Sequence, residues 1–333
     1  MTTCLDAFKN IYIEARNNHI NIAPCCVSEP VQVNQIDFYN SHFEKIRDNW
    51  KNNQYPAECN YCKIAEDNNL NSRRQGSNNW YADNDITDSS VELIRIDYWV
   101  GDTCNLACLI CGPQNSSKWK QEKKIPIQQA SVNINKSWSD LDLTKLKFIH
   151  FNGGEPLLSK EHITFLQNIP DPSRVHLNYN TNGTILPSRE LIELWNKFQL
   201  VQLDFSIDDV EERFEIQRYP ASWDSVVANL KWFYKHSPVN CMFSINTTIS
   251  ILNQSNIDNI KHWAQNNFSH NRLQDPVEHR FQFAAGLFDI HNYNSKQIVE
   301  FLDNLDSKRH TNWRKVLPDV AKLLNSDKHT NHN

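Results

Sequence analysis

The sequence predicts an α/β fold in which a partial (β/α)6 barrel of parallel strands follows a small cysteine-rich N-terminal metal domain and precedes C-terminal helices. Two observations predict it: six short β-rich runs alternate with amphipathic stretches, and seven of the nine cysteines sit in close groups. Repeated strand-helix units imply parallel neighbours, because a parallel pair needs a long crossover whereas an antiparallel pair needs only a turn. With 333 residues and 39% hydrophobic content, the chain can bury such a core.

The cysteine-rich segment spans 1–78, and the polar, acidic run NNWYADNDITDSS (78–90) that leads on from it reads as a linker. The barrel is expected over 91–290. Its strands are LIRIDYW (93–99), KFIHF (147–151), VHLNY (175–179), LVQLDFSI (200–207), CMFSINTTIS (241–250) and HRFQFAA (279–285). Between them SRELIELWNKF, WDSVVANLKWFYKH and SNIDNIKHWAQNN carry apolar residues at three-and-four spacing, the pattern of an amphipathic helix. Residues 291–333 read as further helices ending in the polar tail SDKHTNHN.

A net charge of −5 provides no global field favouring nucleic acid or an anionic membrane. The start MTTCLDAFKN lacks a basic segment leading into an apolar run, and no stretch approaches the roughly 18 apolar residues of a spanning helix. A cytoplasmic protein is expected, with no membrane partner and no general nucleic-acid binding. In a reducing compartment, clustered thiols more often bind metal than form disulfides.

In parallel α/β folds the loops leaving the C-terminal strand ends line the site. Here the first strand is followed by GDTCNLACLIC, the second by NGGEP, the third by NTNGT, and the fourth ends in SIDD. Cys104, Cys108 and Cys111 form C-x3-C-x2-C. Three thiolates hold three irons of a cubane and leave the fourth iron open. A closed zinc site wants a fourth ligand, for which His150 is the nearby imidazole upstream of the next motif. On a helix the same spacing would put three cysteines on one apolar face.

These loops resemble the radical S-adenosylmethionine superfamily over about Leu93 to Gly286, and CNLACLICGP is similar to the form seen in members acting on peptides and proteins. The resemblance implies a [4Fe-4S] cluster on Cys104, Cys108 and Cys111 that reductively cleaves S-adenosylmethionine to a 5′-deoxyadenosyl radical. It implies a peptide or protein substrate, and an electron donor such as flavodoxin or ferredoxin. Gly153 and Gly154 would let backbone approach the cofactor, with Glu155 accepting from its ammonium. Asn180, Thr181, Asn182, Ser206 and Asp208 fall where the family contacts carboxylate and ribose, although Asn182-Gly183 also suits a turn and Asp208 a helix cap. Arg218, in QRYP, fits a carboxylate ligand or a solvated ion pair.

Cys4, Cys25 or Cys26, Cys59 and Cys62 offer four thiols, which suit zinc or a closed iron-sulfur cluster. Their surroundings resemble the twitch form of the SPASM auxiliary-cluster domain, here preceding the barrel instead of following it. The resemblance implies an auxiliary [4Fe-4S] cluster on Cys4, Cys25, Cys59 and Cys62, and favours Cys25 because it follows Pro24. Cys241, at the head of an apolar run, reads as core. The alternative is a non-catalytic metal-dependent binding module, contacting nucleic acid through SRR (72–74) and SKWKQEKK (117–124).

Overall fold

The structure, a computed structural model, describes residues 3–16, 19–126, 141–268, 277–284 and 286–326. It is mixed α/β, with parallel strands and helical crossovers, and divides into two compact units. The first comprises residues 1–102, 127–179 and 193–201; the second comprises 103–126, 180–192 and 202–333.

Nine strands are described: β1 (Asn10–Arg16), β2 (His19–Ala23), β3 (Val31–Val33), β4 (Arg95–Trp99), β5 (Phe148–Asn152), β6 (His176–Thr181), β7 (Leu200–Ser206), β8 (Cys241–Ile249) and β9 (Glu278–Phe283). The six expected strands are β4 to β9. Within the first unit the order is β3-β2-β1-β4-β5-β6; β1, β4, β5 and β6 run parallel, while β2 is antiparallel to β1 and β3 to β2. Register aligns Ile11, Ile96, Ile149 and Leu177 across four strands, all fully buried. One residue along, the opposite face carries Tyr12, Asp97, His150 and Asn178. A period of two thus separates an apolar row from a polar one.

β1 to β3 were not among the expected strands. NIYIEAR and HINIA alternate apolar and polar residues, and Ile11, Ile13, Ile20 and Ile22 are buried. The sheet therefore begins inside the segment that the sequence sets apart as a metal domain. The linker expectation is corrected as well: a helix covers Arg73–Asp83, started by a capping box in which Ser72 accepts from Gln75 N–H and Gln75 from Ser72 N–H.

The second unit orders β7-β8-β9, with β8 and β9 parallel. Asp204 accepts from Ser244 and Arg280, while Leu203, Phe205, Phe243 and Ile245 are buried. Helix Trp223–His236 buries Trp223, Val226, Leu230 and Phe233 at helical spacing. Helices Ser295–Arg309, Trp313–Val316 and Pro318–Ser326 bury Ile298, Leu302, Leu305, Trp313, Val320 and Leu324 in one core with Ala107, Leu109 and Trp119 of the three-cysteine loop and its following helix. The polar tail expected after Ser326 lies outside the described residues.

Candidate active site and metal centres

In the second unit, Cys104, Cys108 and Cys111 lie in a loop without regular secondary structure, all partly exposed. The helical-face alternative is therefore corrected. Anchors surround each end of this loop. Ser117 Oγ donates to the Cys104 carbonyl and accepts from Cys104 N–H, at 3.0 and 3.1 Å. Ser116 Oγ donates to the Leu106 carbonyl at 2.5 Å and caps helix Ser117–Glu122 by accepting from Trp119 N–H. The Trp119 indole N–H donates to the Cys108 carbonyl at 2.8 Å. Ala107 and Leu109 N–H donate to the carbonyls of Tyr219 and Gln217.

Two N–H groups address Cys104 Sγ, that of Leu106 at 3.5 Å and the Asn182 side-chain amide at 3.9 Å. Donors to cluster sulfurs tune potential and orient the ligand. Asn182 also donates to Asn105 Oδ1 at 3.1 Å and accepts from Thr184 N–H and Oγ1. At Gly183, φ is +72° and a Cβ would stand 2.9 Å from Leu230 Cδ1, so turn geometry and close packing both require glycine. Burial, then repulsion from Cys104, Cys111 and Asp208, pushes the Cys108 thiol up to about 12, against the pull of Arg218.

Asp208 and Arg218 form a buried ion pair at 2.7 Å, so the solvated pair admitted from sequence is corrected to a desolvated one. Asp208 also accepts from Thr248 N–H at 2.8 Å, and its carbonyl accepts from Asn253. Ser206 ends β7 and is partly exposed; Asn180 lies at the end of β6 and is partly exposed as well.

In the first unit, Gly153, Gly154 and Glu155 follow β5, the expected position. Gly153 has φ +148°, and a Cβ there would lie 2.8 Å from the Gly101 carbonyl and 3.0 Å from Val100 Cγ2. Gly154 N–H donates to the same Gly101 carbonyl at 2.8 Å. These contacts bind the glycine turn to the residues that follow β4. Glu155 is buried, and Oε1 accepts from Leu157 N–H at 3.1 Å across the short turn Pro156–Leu158.

The first unit also contains a cavity lined by Cys4, Cys25, Cys59 and Cys62, together with Trp50 and Tyr55. Cys4, Cys25 and Cys62 are buried, whereas Cys26 is exposed and outside the lining. Burial first, then nearby negative groups, raises the thiols of Cys4 and Cys25; Cys59 is pushed up to about 12 by burial and Cys62. Among the described residues, no three His, Cys, Asp or Glu side chains converge closely enough to chelate a single ion.

Several contributors lacked a usable sequence signal. Arg309, near the far end of the chain, donates to the Ala107 carbonyl at 3.1 Å and pairs with Glu122 at 3.0 Å, with its guanidinium over the Tyr219 and Trp119 rings. Ser116 did have one, since a serine before a helix is a capping signal, but SKWKQEKK draws the eye to its charge. SRR does not form a free basic patch: Arg73 pairs with Asp97 at 3.0 Å and Arg74 with Glu66 at 2.7 Å, and Ser72 is buried. Asp97 sits below the usual carboxylate range. Burial opposes its ionisation, but Arg73, the His150 hydrogen bond and Arg95 outweigh that cost.

Residues 99–264, which contain the three-cysteine loop, GGE, NTNG and SIDD, match the sequence profile described as the Radical SAM superfamily. The chain belongs to the radical SAM superfamily. It is similar to GTP 3′,8-cyclase from Clostridium botulinum, with 29% identity over 127 residues, 38% of each chain. The corresponding protein of Desulforamulus reducens is 26% identical over 122 residues, 36% of this chain and 35% of that one. These matches span little more than a third of the relatives' length. Among solved structures, Streptococcus suis SuiB bound to S-adenosylmethionine aligns with 94% of this chain and 72% of its own, at TM-score 0.45 and 13% identity. Native anSMEcpe with bound AdoMet aligns over 64% and 59%, at TM-score 0.41 and 15% identity. The family implies a [4Fe-4S] cluster and S-adenosylmethionine. No helix among the described residues is long and apolar enough to cross a membrane.

Proposed function

We propose that this superfamily member is a radical S-adenosylmethionine enzyme whose [4Fe-4S] cluster is held by Cys104, Cys108 and Cys111, and that it modifies a peptide or protein. The observation that carries the reading is the three-thiol loop within the matched segment, anchored on both flanks and with hydrogen-bond donors aimed at a sulfur. Cys104, Cys108 and Cys111 would hold the cluster, and the chemistry it would supply there is the single electron for reductive cleavage of S-adenosylmethionine. The protein's part is orientation and exclusion of competing reactions. Ser116, Ser117 and Trp119 hold the loop backbone, and Asn182 orients Cys104.

On the family pattern, Gly153, Gly154 and Glu155 recognise the methionine ammonium, and Asn180, Ser206 and Asp208 serve carboxylate and ribose. Asp208 arrives already fixed by Arg218 and Thr248 N–H, which suits a rigid acceptor. The peptide substrate rests on the resemblance of CNLACLICGP to peptide-acting members. The expected division into a metal domain (1–78), barrel (91–290) and C-terminal extension (291–333), and a cytoplasmic location, belong to the same proposal.

Cys4, Cys25, Cys59 and Cys62 would hold an auxiliary [4Fe-4S] cluster. The support is that these four thiols line one pocket from which Cys26 is absent, and four thiolates suit a closed cluster or a zinc ion alike. The non-catalytic alternative loses SRR as a contact, because Arg73 and Arg74 are paired within the fold. An anaerobic assay of the reconstituted, reduced protein for 5′-deoxyadenosine decides between the two: an enzyme forms it, and a binding module does not.

A further inference from the structure

Beside the three-cysteine loop is a cavity of about 220 Å³ with Trp119, Phe301 and Leu305 in its lining and Lys123 and Lys308 among its polar members. Trp119 is 3% exposed, and its indole N–H is the group that reaches the Cys108 carbonyl. Only an aromatic ring, one hydrogen bond and the backbone of a single residue therefore separate this cavity from a thiol of the loop. The ring also sits among cations, with Lys123 Nζ 5.4 Å and the Arg309 guanidinium 5.0 Å from its centroid.

The surface charge here runs against that of the molecule. The chain carries −5 overall, yet Lys123, Lys124 and Lys308 are exposed, and the acid of the cavity, Glu122, is paired with Arg309. Lys118 adds a further partly exposed cation on helix Ser117–Glu122. A basic rim around an aromatic floor attracts an acidic surface and accelerates encounter by long-range steering.

We infer that this cavity is where an acidic one-electron carrier protein docks to reduce the three-cysteine cluster, an inference that rests on the proposed cluster assignment. The step moves one electron and no proton: the carrier's cofactor is oxidised by one electron and the cluster is reduced by one. Trp119 shortens the path without changing oxidation state. Its hydrogen bond to Cys108 fixes the receiving end, and the lysines fix the donor's approach.

The test compares two reductants on the reconstituted full chain. Lys123→Glu and Lys308→Glu are introduced together, and cluster reduction is followed by freeze-quench electron paramagnetic resonance. Reduced flavodoxin, an acidic carrier, should reduce the double variant at least about tenfold more slowly at low ionic strength. Dithionite, too small to need a docking surface, should reduce both proteins at equal rates. The unsubstituted protein should also lose rate with flavodoxin as salt rises, and the variant should not. Equal flavodoxin rates in the two proteins, or an equal fall with dithionite, would overturn the docking site. Formation of 5′-deoxyadenosine is scored separately, so a cluster that is reduced without cleaving S-adenosylmethionine rejects the proposed activity and leaves the docking result standing.

Discussion

The two cysteine groups are built in opposite ways. Cys104, Cys108 and Cys111 come from eight consecutive residues and are partly exposed, and serine and tryptophan bonds hold the loop between them at its backbone. Cys4, Cys25, Cys59 and Cys62 come from a 59-residue span and line a cavity in which three of the four thiols are buried. On the proposed assignment, a loop that leaves one iron open keeps its thiols near one another and within reach of a ligand. A closed set has no such need, and it can tie distant chain segments together, which suits a structural or electron-conducting role.

The sharpest way to break this comparison is to remove the open set. Cys104→Ala, Cys108→Ala and Cys111→Ala should each abolish 5′-deoxyadenosine formation, since an incomplete set cannot present the open iron. A wild-type rate in any one of them would exclude that residue from the site. Next in size is the iron content of the triple variant. It should retain about one [4Fe-4S] cluster per chain by iron, sulfide and Mössbauer analysis. Zinc in place of iron would make the N-terminal set a zinc site, and loss of all iron would show that the two sets are not independent.

This contrast also explains what could be read from sequence. Cys104, Cys108 and Cys111 are a local pattern after a local strand, so spacing alone points to metal. The four N-terminal cysteines have only Cys59 and Cys62 in register, and Cys4 and Cys25 join them through the fold, which is why that set rested on family resemblance. The six strands β4 to β9 were legible as short β-rich runs, and β6, β7 and β8 are also followed by helical periodicity. β1 and β2 were missed although NIYIEAR and HINIA alternate cleanly, because nearby cysteines drew the segment toward a domain with little core. Arg309 was not legible at all. Its partners, Ala107 and Glu122, lie about two hundred residues earlier, and nothing in SKRH announces a bond to a carbonyl.

A smaller effect is expected at Glu155. Glu155→Gln keeps the shape and an acceptor for Leu157 N–H, but removes the charge that would favour the methionine ammonium. The loss should be roughly 1.5–3 kcal/mol, about one to two decades in cofactor affinity. Iron content should not change. Titration of S-adenosylmethionine against the reconstituted variant checks both points: unchanged affinity would remove Glu155 from cofactor recognition, and lost iron would make it a support for the cluster.

The smallest predicted effect concerns the acid sensitivity of the first unit. His162 belongs to the unit that holds the four-thiol cavity; it is fully buried against the rings of Phe151 and Tyr179, at 5.2 and 5.7 Å. Burial lowers its pKa to about 4, from an ordinary value of 6.5. Because the folded value lies below the unfolded one, the unfolded chain binds a proton over that window while the folded chain does not. Stability present above pH 6.5 is therefore lost as pH falls toward 4. At pH 5 the loss from this residue is roughly 1–2 kcal/mol. His162→Phe keeps an aromatic ring in the site and removes the titration. Denaturant unfolding at pH 7 and pH 5 should then show a pH-dependent fall that is smaller by that amount in the variant. An identical fall in the two proteins would mean that His162 is protonated as readily in the folded state as in the unfolded one, and that the acid response of this unit arises elsewhere.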